Sequence, residues 1–524
     1  MQEGPGGKSF LTLIVDNLYE RGVKTSLRYV DHESFREATK IVTHRIRDGG
    51  VSLVWGPPGT GKTTTFVNAI YREFDNIINS SDLILYIAPT NQLVGEMCMR
   101  LASVYRNFQL EQKDFLEHVR VYGSQFSHQS EKFSALLKIP DENTKFILTT
   151  TYQVPYMKKS RVERIHIMID EASKSPLHVP FIPLAQEFLD YLSGEKERTS
   201  SLNILGDPMQ AIGIDELKGR RDLLLFLRVS AGLLNKQEVN YDNPLEILSE
   251  ARKYLSPKYL ATLNMTFRLP SPSEKPISHG FYDGILKAKD TAKNRLDGLW
   301  EKGRAKRLTT HDETFKRVIR VLESSLTTGR PLVYVHITGR HEYSDYFGEL
   351  FDKQRAEIGL YYATALAYIT NDPVSVITTY ADQAHHMKNL YNRDFSPLFR
   401  TFPRSNVSIM TTHKALGTEN EHVVMIVGKE YFGGEIGEET IYFAEPEVFN
   451  VQLSRHKKSL VIVGNLQRMY NTINKFHAKY SSAKYMSLKL TIGKILELCG
   501  AEIEKRRLVL GRYDGEGGVI DRWE

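Results

Sequence analysis

The stretch Gly56-Pro57-Pro58-Gly59-Thr60-Gly61-Lys62-Thr63 has the spacing G-x-x-x-x-G-K-[ST]. It restricts the chain to folds in which a buried strand turns sharply into a helix. The flanks agree: residues 51–55 are nearly all apolar and read as that strand, and residues 64–70 read as the helix. Glycines there let backbone N–H groups turn inward towards phosphate, and the helix N-terminus adds the positive end of its dipole. The loop therefore predicts a nucleoside triphosphate site. Lys62 is expected to reach the β and γ phosphates, and the Thr63 hydroxyl to ligate Mg²⁺.

Further strands follow the loop at 83–88, 145–151, 166–171 and 202–207. A second series lies at 331–336, 375–380, 407–412, 422–427 and 459–464. These runs are apolar throughout and separated by helical patterns, which predicts parallel sheets covered on both faces. The fold class is α/β, with two tandem sheets, only the first carrying a P-loop. The expected organisation is an N-terminal helical segment (1–48), a first domain (49–262) with a helical insertion (98–143), a second domain (263–484), and a C-terminal helix and tail (485–524). Asp31 or Ser34 is expected to cap the helix that ends at Asp48-Gly49-Gly50. The glycine-rich, charged end beyond Gly511 carries no readable element.

Composition narrows the class. At 524 residues, 41% hydrophobic and 25% charged, the chain can bury several cores. No apolar run is long enough for a membrane-spanning helix, and the start lacks the apolar core of a signal peptide, so the expectation is an intracellular protein, cytoplasmic or nuclear. Its two cysteines, Cys98 and Cys499, exclude a disulfide scaffold and a cysteine-rich zinc module. His385 and His386 are neighbours that point apart on a helix, which suits solvent or packing better than metal. The net charge of +6 is compatible with a polyanionic partner. The basic runs 158–161, 302–307 and 505–507 are ordinarily solvated faces, with nucleic-acid contact the alternative, for which the first is best placed, just after the Thr149–Thr151 edge. Most of the 27 tyrosines and 24 phenylalanines belong to cores, and some can serve as base-stacking platforms.

Asp170 and Glu171 follow the 166–171 strand directly, at the carboxyl edge where ligands sit in open α/β sheets. Asp170 is expected to bind Mg²⁺, and Glu171 to orient and deprotonate the attacking water. Gln210, in the Gly206-Asp207-Pro208-Met209-Gln210 turn after the next strand, can reach a γ-phosphate. A phosphoryl-transfer site also needs cationic charge at the γ-phosphate. An arginine supplied there is worth roughly 10³–10⁵ in rate, and Arg268 and Arg455 are the candidates.

Taken in order, the loop 56–63, Ala88-Pro89-Thr90-Asn91, Asp170-Glu171-Ala172-Ser173, Gly206–Gln210, Thr266-Phe267-Arg268-Leu269-Pro270, Gly417-Thr418-Glu419 and Val451-Gln452-Leu453-Ser454-Arg455 resemble the motifs of superfamily 1 helicases. The branch most similar is that of the nonsense-mediated-decay helicase and senataxin, and Phe281-Tyr282-Asp283-Gly284 also fits it. The resemblance spans residues 30–465. It implies two tandem RecA-like parallel-sheet domains with ATP in the cleft between them. In that arrangement Gly56, Pro57, Pro58, Gly59, Thr60, Gly61, Lys62, Thr63 and Thr64 hold the phosphates. Phe267 stacks on adenine, Glu419 holds the ribose, and Arg268 and Arg455 reach the phosphates from the second domain. Pro89, Thr90, Asn91, Thr149, Thr150, Thr151, Thr411, Thr412 and His413 line a path for single-stranded nucleic acid.

The resemblance implies an ATP- and Mg²⁺-dependent helicase or translocase with a monomeric core, moving 5′ to 3′ on single-stranded DNA or RNA. Protein partners are accommodated by insertions or the tail. Two other readings stay open: a nucleic-acid-stimulated ATPase that translocates or strips proteins without unwinding, and a non-enzymatic binding scaffold. The branch has a glutamine that reads adenine where this chain has Phe35, and a glutamine where it has Leu416. Phe35 makes comparable use of GTP the expectation. The region before the loop is too short for the β-barrel of many relatives, so a stripped motor without that strand-separating element is expected.

Overall fold

The computed structural model describes residues 32–122, 136, 139–156, 163–174, 176–179, 182–183, 200–210, 221–226, 247, 250–251, 253, 258–302, 312–338, 352–395, 407–415, 417–428, 446–480, 483–504, 507–510 and 515–523. Residues 1–31, the basic runs 158–161, 303–307 and 505–506, and Leu416 lie outside this set. The chain divides into two compact units, Met1–Asn264 and Met265–Glu524.

In unit 1, strands β1 (Gly50–Trp55), β2 (Leu83–Ala88), β3 (Val119–Tyr122), β4 (Phe146–Thr150), β5 (Ile165–Ile169), β6 (Ser201–Gly206) and β7 (Leu260–Thr262) form one sheet in the order β3-β4-β2-β5-β6-β1-β7. Every pairing in it is parallel. All residues of β2, β4, β5 and β6 are buried, as expected of a parallel sheet with helices on both faces, including the polar Thr149, Thr150, His166, Ser201 and Asn203. The helix Lys62–Asn79 buries Phe66, Ile70, Phe74 and Ile77 along one side. The Phe74 ring packs edge-on against Tyr105 of the helix Asn91–Asn107, with centroids 4.9 Å apart. Burying each such side chain contributes about 1.5–3 kcal/mol.

Local details depart from expectation in two places. The helix Glu33–Asp48 has His32, in extended conformation and without a side-chain cap bond, at its N-cap position; Ser34 lies inside the helix with its hydroxyl on His32 Nδ1 (2.9 Å), and Asp31 lies outside the described residues. Gly49, at φ 80°, stops that helix. Within the stretch expected to be helical, Gln112–His118 is a helix but Val119–Tyr122 is strand β3, paired with β4. Val119 and Val121 are buried, while Arg120 turns back onto the carbonyls of Leu116 and Glu117 and onto Asp141. Four residues in a charged neighbourhood are too few for their alternation to stand out.

Unit 2 holds a second all-parallel sheet, β12-β11-β13-β14-β10-β17, from β10 (Leu332–Ile337), β11 (Val374–Thr378), β12 (Val407–Thr411), β13 (Asn420–Ile426), β14 (His456–Gly464) and β17 (Gly518–Trp523). The short strands β8 (Met265–Thr266) and β9 (Lys287–Ala288) pair separately, as do β15 (Ala501–Glu504) and β16 (Arg507–Leu510). The unassigned C-terminal stretch therefore supplies an edge strand. Asp521 anchors it by accepting from Tyr362 Oη (2.6 Å), Trp523 Nε1 (2.6 Å) and Arg317 Nη2 (2.7 Å). The Arg317 guanidinium lies over the Trp523 ring at 4.2 Å.

The two sheets repeat one buried motif. His166 on β5 faces Ser201 on β6 (Nδ1 to Oγ, 2.9 Å) and lies 3.5 Å from Asp82, which precedes β2. His422 on β13 faces Ser459 on β14 (2.7 Å) and Asp372, which precedes β11 (3.2 Å). In register, His166 pairs with Ser201 and His422 with Ser459. Ten expected strands are present, in two sheets of matching strand order. Among the described residues no helix is long and apolar enough to cross a membrane.

Candidate nucleotide and strand site

The loop 56–61 leaves the carboxyl end of β1 and enters the helix Lys62–Asn79. Gly59 and Gly61 have φ of 70° and 90°, the left-handed region that side chains resist. A Cβ on Gly56 would stand 2.6 Å from Lys62 Cγ, so only glycine lets the lysine fold back over the loop. Lys62 Nζ donates to the Gly56 carbonyl at 2.9 Å and lies 3.7 Å from a Glu171 carboxylate oxygen. Thr60 Oγ1 closes the loop on the Pro57 carbonyl (2.8 Å). The Phe35 ring lies against this turn, 3.3 Å from where a Gly61 Cβ would be.

Asp170, at the end of β5, is completely buried. Its Oδ2 accepts from Thr63 Oγ1 (2.6 Å) and from Tyr86 Oη on β2 (2.9 Å), and its Oδ1 accepts from the Glu171 backbone N–H (2.9 Å). Burial first, and then the neighbouring Glu171 charge, push its pKa above the ordinary carboxylate value, while Thr63 and Lys62 pull it down. A cation here would favour the ionised form. Glu171 sits at φ 49°, with Lys174 Nζ 3.2 Å from its carboxylate. Gln210 is buried and donates to Asp207 Oδ2 (2.6 Å).

The donor set suits Mg²⁺. Thr63 Oγ1 and Asp170 Oδ2, 2.6 Å apart, are near the separation of about 2.9 Å that adjacent vertices of an Mg²⁺ octahedron require. Among the described residues no cluster of three or more His, Cys, Asp or Glu side chains forms a metal cage. Mg²⁺ at phosphate sites keeps several waters and needs no such cage.

At the carboxyl edge of the same sheet, Pro89, Thr90 and Asn91 follow β2, Thr149 and Thr150 end the adjacent β4, and Thr151 opens the short 3-10 helix after it. Thr90 is exposed and caps the helix Asn91–Asn107, accepting from the Leu93 N–H (3.4 Å). Thr149, Thr150 and Thr151 are buried, with Thr149 and Thr151 hydroxyls on backbone carbonyls. The exposed group beside them is Tyr152, 52% accessible. Sequence reasoning missed it, although an aromatic after a hydroxyl-rich strand end is a visible signal. In unit 2, Thr412 is buried and accepts from Gln452 Nε2 (2.8 Å); Thr411 is half-buried and His413 exposed.

Unit 2 brings Arg268, Glu419 and the carbonyl of Ser454 together. Arg268 Nη2 lies 2.6 Å from Glu419 Oε1, and Nη1 donates to Ser454 O (3.0 Å). Lys457 Nζ stands 3.3 Å from the same carboxylate. Phe267 is half-buried, with Lys289 Nζ over its ring at 5.4 Å and its carbonyl accepting from Arg295 Nη2 (2.8 Å). Arg455 is 1% exposed; Nε donates to Val451 O and Nη2 to Ser454 Oγ (both 3.0 Å). Sequence spacing carried no sign of Arg295, Lys457 or Tyr86.

Two family models, both described as AAA domain, match residues 32–174 and 245–467. A putative helicase mov-10-B.2 of Danio rerio is 24% identical over 458 residues, covering 79% of this chain and 39% of the relative. The DNA polymerase alpha-associated DNA helicase A of Saccharomyces cerevisiae is 22% identical over 494 residues, covering 86% of this chain and 67% of the relative. This chain thus spans well under half the length of the first. Among solved structures, the DUF1998 helicase MrfA bound to DNA and AMPPNP aligns over 98% of this chain and 63% of that one, at 10% identity and a TM-score of 0.39.

Proposed function

The chain belongs to the superfamily 1 helicases, in the branch of the nonsense-mediated-decay helicase and senataxin, and we propose that it hydrolyses nucleoside triphosphate to move along single-stranded nucleic acid and separate duplexes. One observation carries the reading: Lys62, Thr63, Asp170 and Glu171 converge at the carboxyl edge of one sheet, with Thr63 and Asp170 in contact.

In this reading the N–H groups of the loop and the Lys62 ammonium hold the β and γ phosphates. Thr63 and Asp170 hold Mg²⁺, which when bound neutralises charge on those oxygens. Glu171 accepts a proton from the attacking water, and Gln210 reports the γ-phosphate to its own turn. Arg268 and Arg455 supply cationic charge to the transition state, Phe267 packs on the base, and Glu419 takes the ribose. Pro89, Thr90 and Asn91 with the backbone of Thr149–Thr151 in unit 1, and Thr411–His413 in unit 2, are the strand-facing edges. Hydroxyls and backbone groups suit phosphate and sugar contacts, which hold a strand without reading its sequence. Turnover alternates the hold of the two edges, 5′ to 3′ as in the branch, with a monomeric core.

The test is the hydrolysis rate with single-stranded DNA, single-stranded RNA and neither. A rise of about tenfold or more with one of them supports the reading, and no rise with either overturns it. Displacement of a labelled strand from a duplex with a 5′ overhang tests unwinding and polarity together. Stimulated hydrolysis without displacement would leave translocation and remove unwinding.

A further inference from the structure

Two hydrogen bonds from residues with no role so far tie the phosphate side of unit 1 to the segment that carries Thr90 and Asn91. Strand β2 runs directly into Pro89, Thr90 and Asn91, and the helix Asn91–Asn107 runs back from them. Strand and helix are two arms of one hairpin-like unit, with the proposed strand contacts at its tip. On the strand arm, Tyr86 Oη donates to Asp170 Oδ2 (2.9 Å), the oxygen that also accepts from Thr63. On the helix arm, Arg100 Nη1 donates to Thr64 Oγ1 (3.0 Å), in the first turn of the P-loop helix.

The residue types are informative. The rest of β2 is Leu83, Ile84, Leu85, Ile87 and Ala88, all apolar, and Tyr86 is fully buried, edge-on to Phe66 at 6.4 Å. Phenylalanine would fill that volume without burying a hydroxyl, and a buried hydroxyl is tolerated only when bonded. The hydroxyl's partner is the carboxylate proposed to hold the metal. Arg100 is half-buried and reaches across from one helix to the other.

We propose that Tyr86 and Arg100 are positioning residues that transmit occupancy of the Thr90–Asn91 tip to the nucleotide site, so that a bound strand sets the placement of Asp170 and of the first turn of the P-loop helix. The inference rests on the functional reading above. Moving the tip moves both arms, and each arm ends on a group at the phosphate side. Misplacement by about 1 Å at such a site can cost about 10²-fold in rate.

The experiment measures hydrolysis by the full chain with and without oligothymidylate or oligouridylate. It compares the wild type with Tyr86→Phe, Arg100→Gln and Arg100→Lys. Both Tyr86→Phe and Arg100→Gln are expected to lower the ratio of stimulated to basal rate by about tenfold, the size expected of one hydrogen bond to a charged group. Affinity for the oligonucleotide, read by fluorescence anisotropy, stays within about twofold because neither residue faces the strand. Arg100→Lys recovers part of the ratio. A merely structural role would lower basal and stimulated rates in proportion, and an unchanged ratio in both variants overturns the inference. Should Tyr86→Phe fail to fold, the half-buried Arg100 pair decides alone. A wild type stimulated by neither oligonucleotide overturns the functional reading, and this inference with it.

Discussion

Arg268 and Glu419 hold each other within unit 2, with Nη2 and Nε at 2.6 and 3.1 Å from one carboxylate oxygen. Each is proposed to serve the nucleotide, and in that reading each would exchange the other for phosphate or ribose when nucleotide arrives. The pair holds the Glu419 pKa down to about 2, chiefly through the charge of Arg268 and secondarily through Lys457.

Arg268→Ala is expected to lower hydrolysis by about 10³-fold or more. It should also raise the Glu419 titration from about 2 towards the ordinary 4.5, with Lys457 retaining part of the shift. The sign follows from the depressed value: the pair contributes stability above the ordinary pKa and loses it as pH falls towards 2. Carbon-detected NMR of labelled glutamate reads the midpoint. An unmoved midpoint would mean that the ion pair does not form in solution.

Lys62→Ala should abolish turnover, because the β and γ phosphates lose their cation and the Glu171 carboxylate loses a neighbour 3.7 Å away. Steady-state hydrolysis at saturating Mg²⁺ and ATP is the measurement. A rate near that of the wild type would remove the P-loop from the site.

Arg455→Ala should retain nucleotide binding and lose hydrolysis by orders of magnitude. The side chain is 1% exposed and bonded to Val451 O and Ser454 Oγ, so a folding cost of about 1–3 kcal/mol accompanies the change. Binding by a fluorescent ATP analogue, turnover and a thermal melt separate the effects. Unchanged turnover would confine Arg455 to structure.

Acid should weaken unit 2 before the carboxylates titrate. His336 and His456 are buried, and burial, with arginines nearby, depresses their pKa values to about 4 and about 3. Below about 6.5 the unfolded chain takes up protons that the folded chain refuses. Stability therefore falls as pH drops from about 6.5 towards 4, by up to about 1.4 kcal/mol per pH unit for each histidine. Urea midpoints at pH 7 and pH 5, followed by circular dichroism, should differ in that direction. Equal midpoints would mean that both histidines titrate normally.

Phe35 makes base selectivity testable. Its ring packs on the Gly61 turn and offers no hydrogen bond to a base edge. GTP should therefore support turnover within about fivefold of ATP, since one missing hydrogen bond is worth roughly that factor. A preference for ATP of a hundredfold or more would place the adenine reader elsewhere in the chain.

The sequence was most legible where chemistry is local. A strand, a glycine turn and a helix within twenty residues of one another declare the P-loop, and Asp170 follows its strand directly. Apolar runs such as β2 and β5 declare buried parallel strands. Long-range partners left no such sign: Arg268 and Glu419 meet across 151 residues, and nothing in their neighbours announces it. Tyr86 reads as one more core aromatic until its hydroxyl is seen on Asp170. The threonines 149–151 read as strand contacts, yet their side chains are buried, because a hydroxyl at a strand end can satisfy a nearby carbonyl as readily as a phosphate. Strand β17 was hidden because only Val519 and Ile520 are apolar before Asp521 and Arg522 interrupt the run.

That hidden strand yields a last prediction. Asp521 is 5% exposed and accepts from Tyr362, Arg317 and, within its own strand, Trp523, so beside the backbone pairing with β10 it ties β17 to the helices Lys353–Thr370 and Glu313–Thr328. Asp521→Ala leaves the fully buried Tyr362 hydroxyl without this acceptor, at a cost of about 1–3 kcal/mol for that group alone. Arg317 adds less, since its side chain is 41% exposed and solvent screens the pair. A double-mutant cycle isolates the buried contact. Tyr362→Phe should destabilise the wild type, yet be nearly neutral or stabilising in the Asp521→Ala background, because it then removes an orphaned hydroxyl. Chemical denaturation of the four proteins measures the coupling. Additive effects within about 0.5 kcal/mol would mean that Tyr362 and Asp521 act independently and that β17 is held by its backbone pairing with β10.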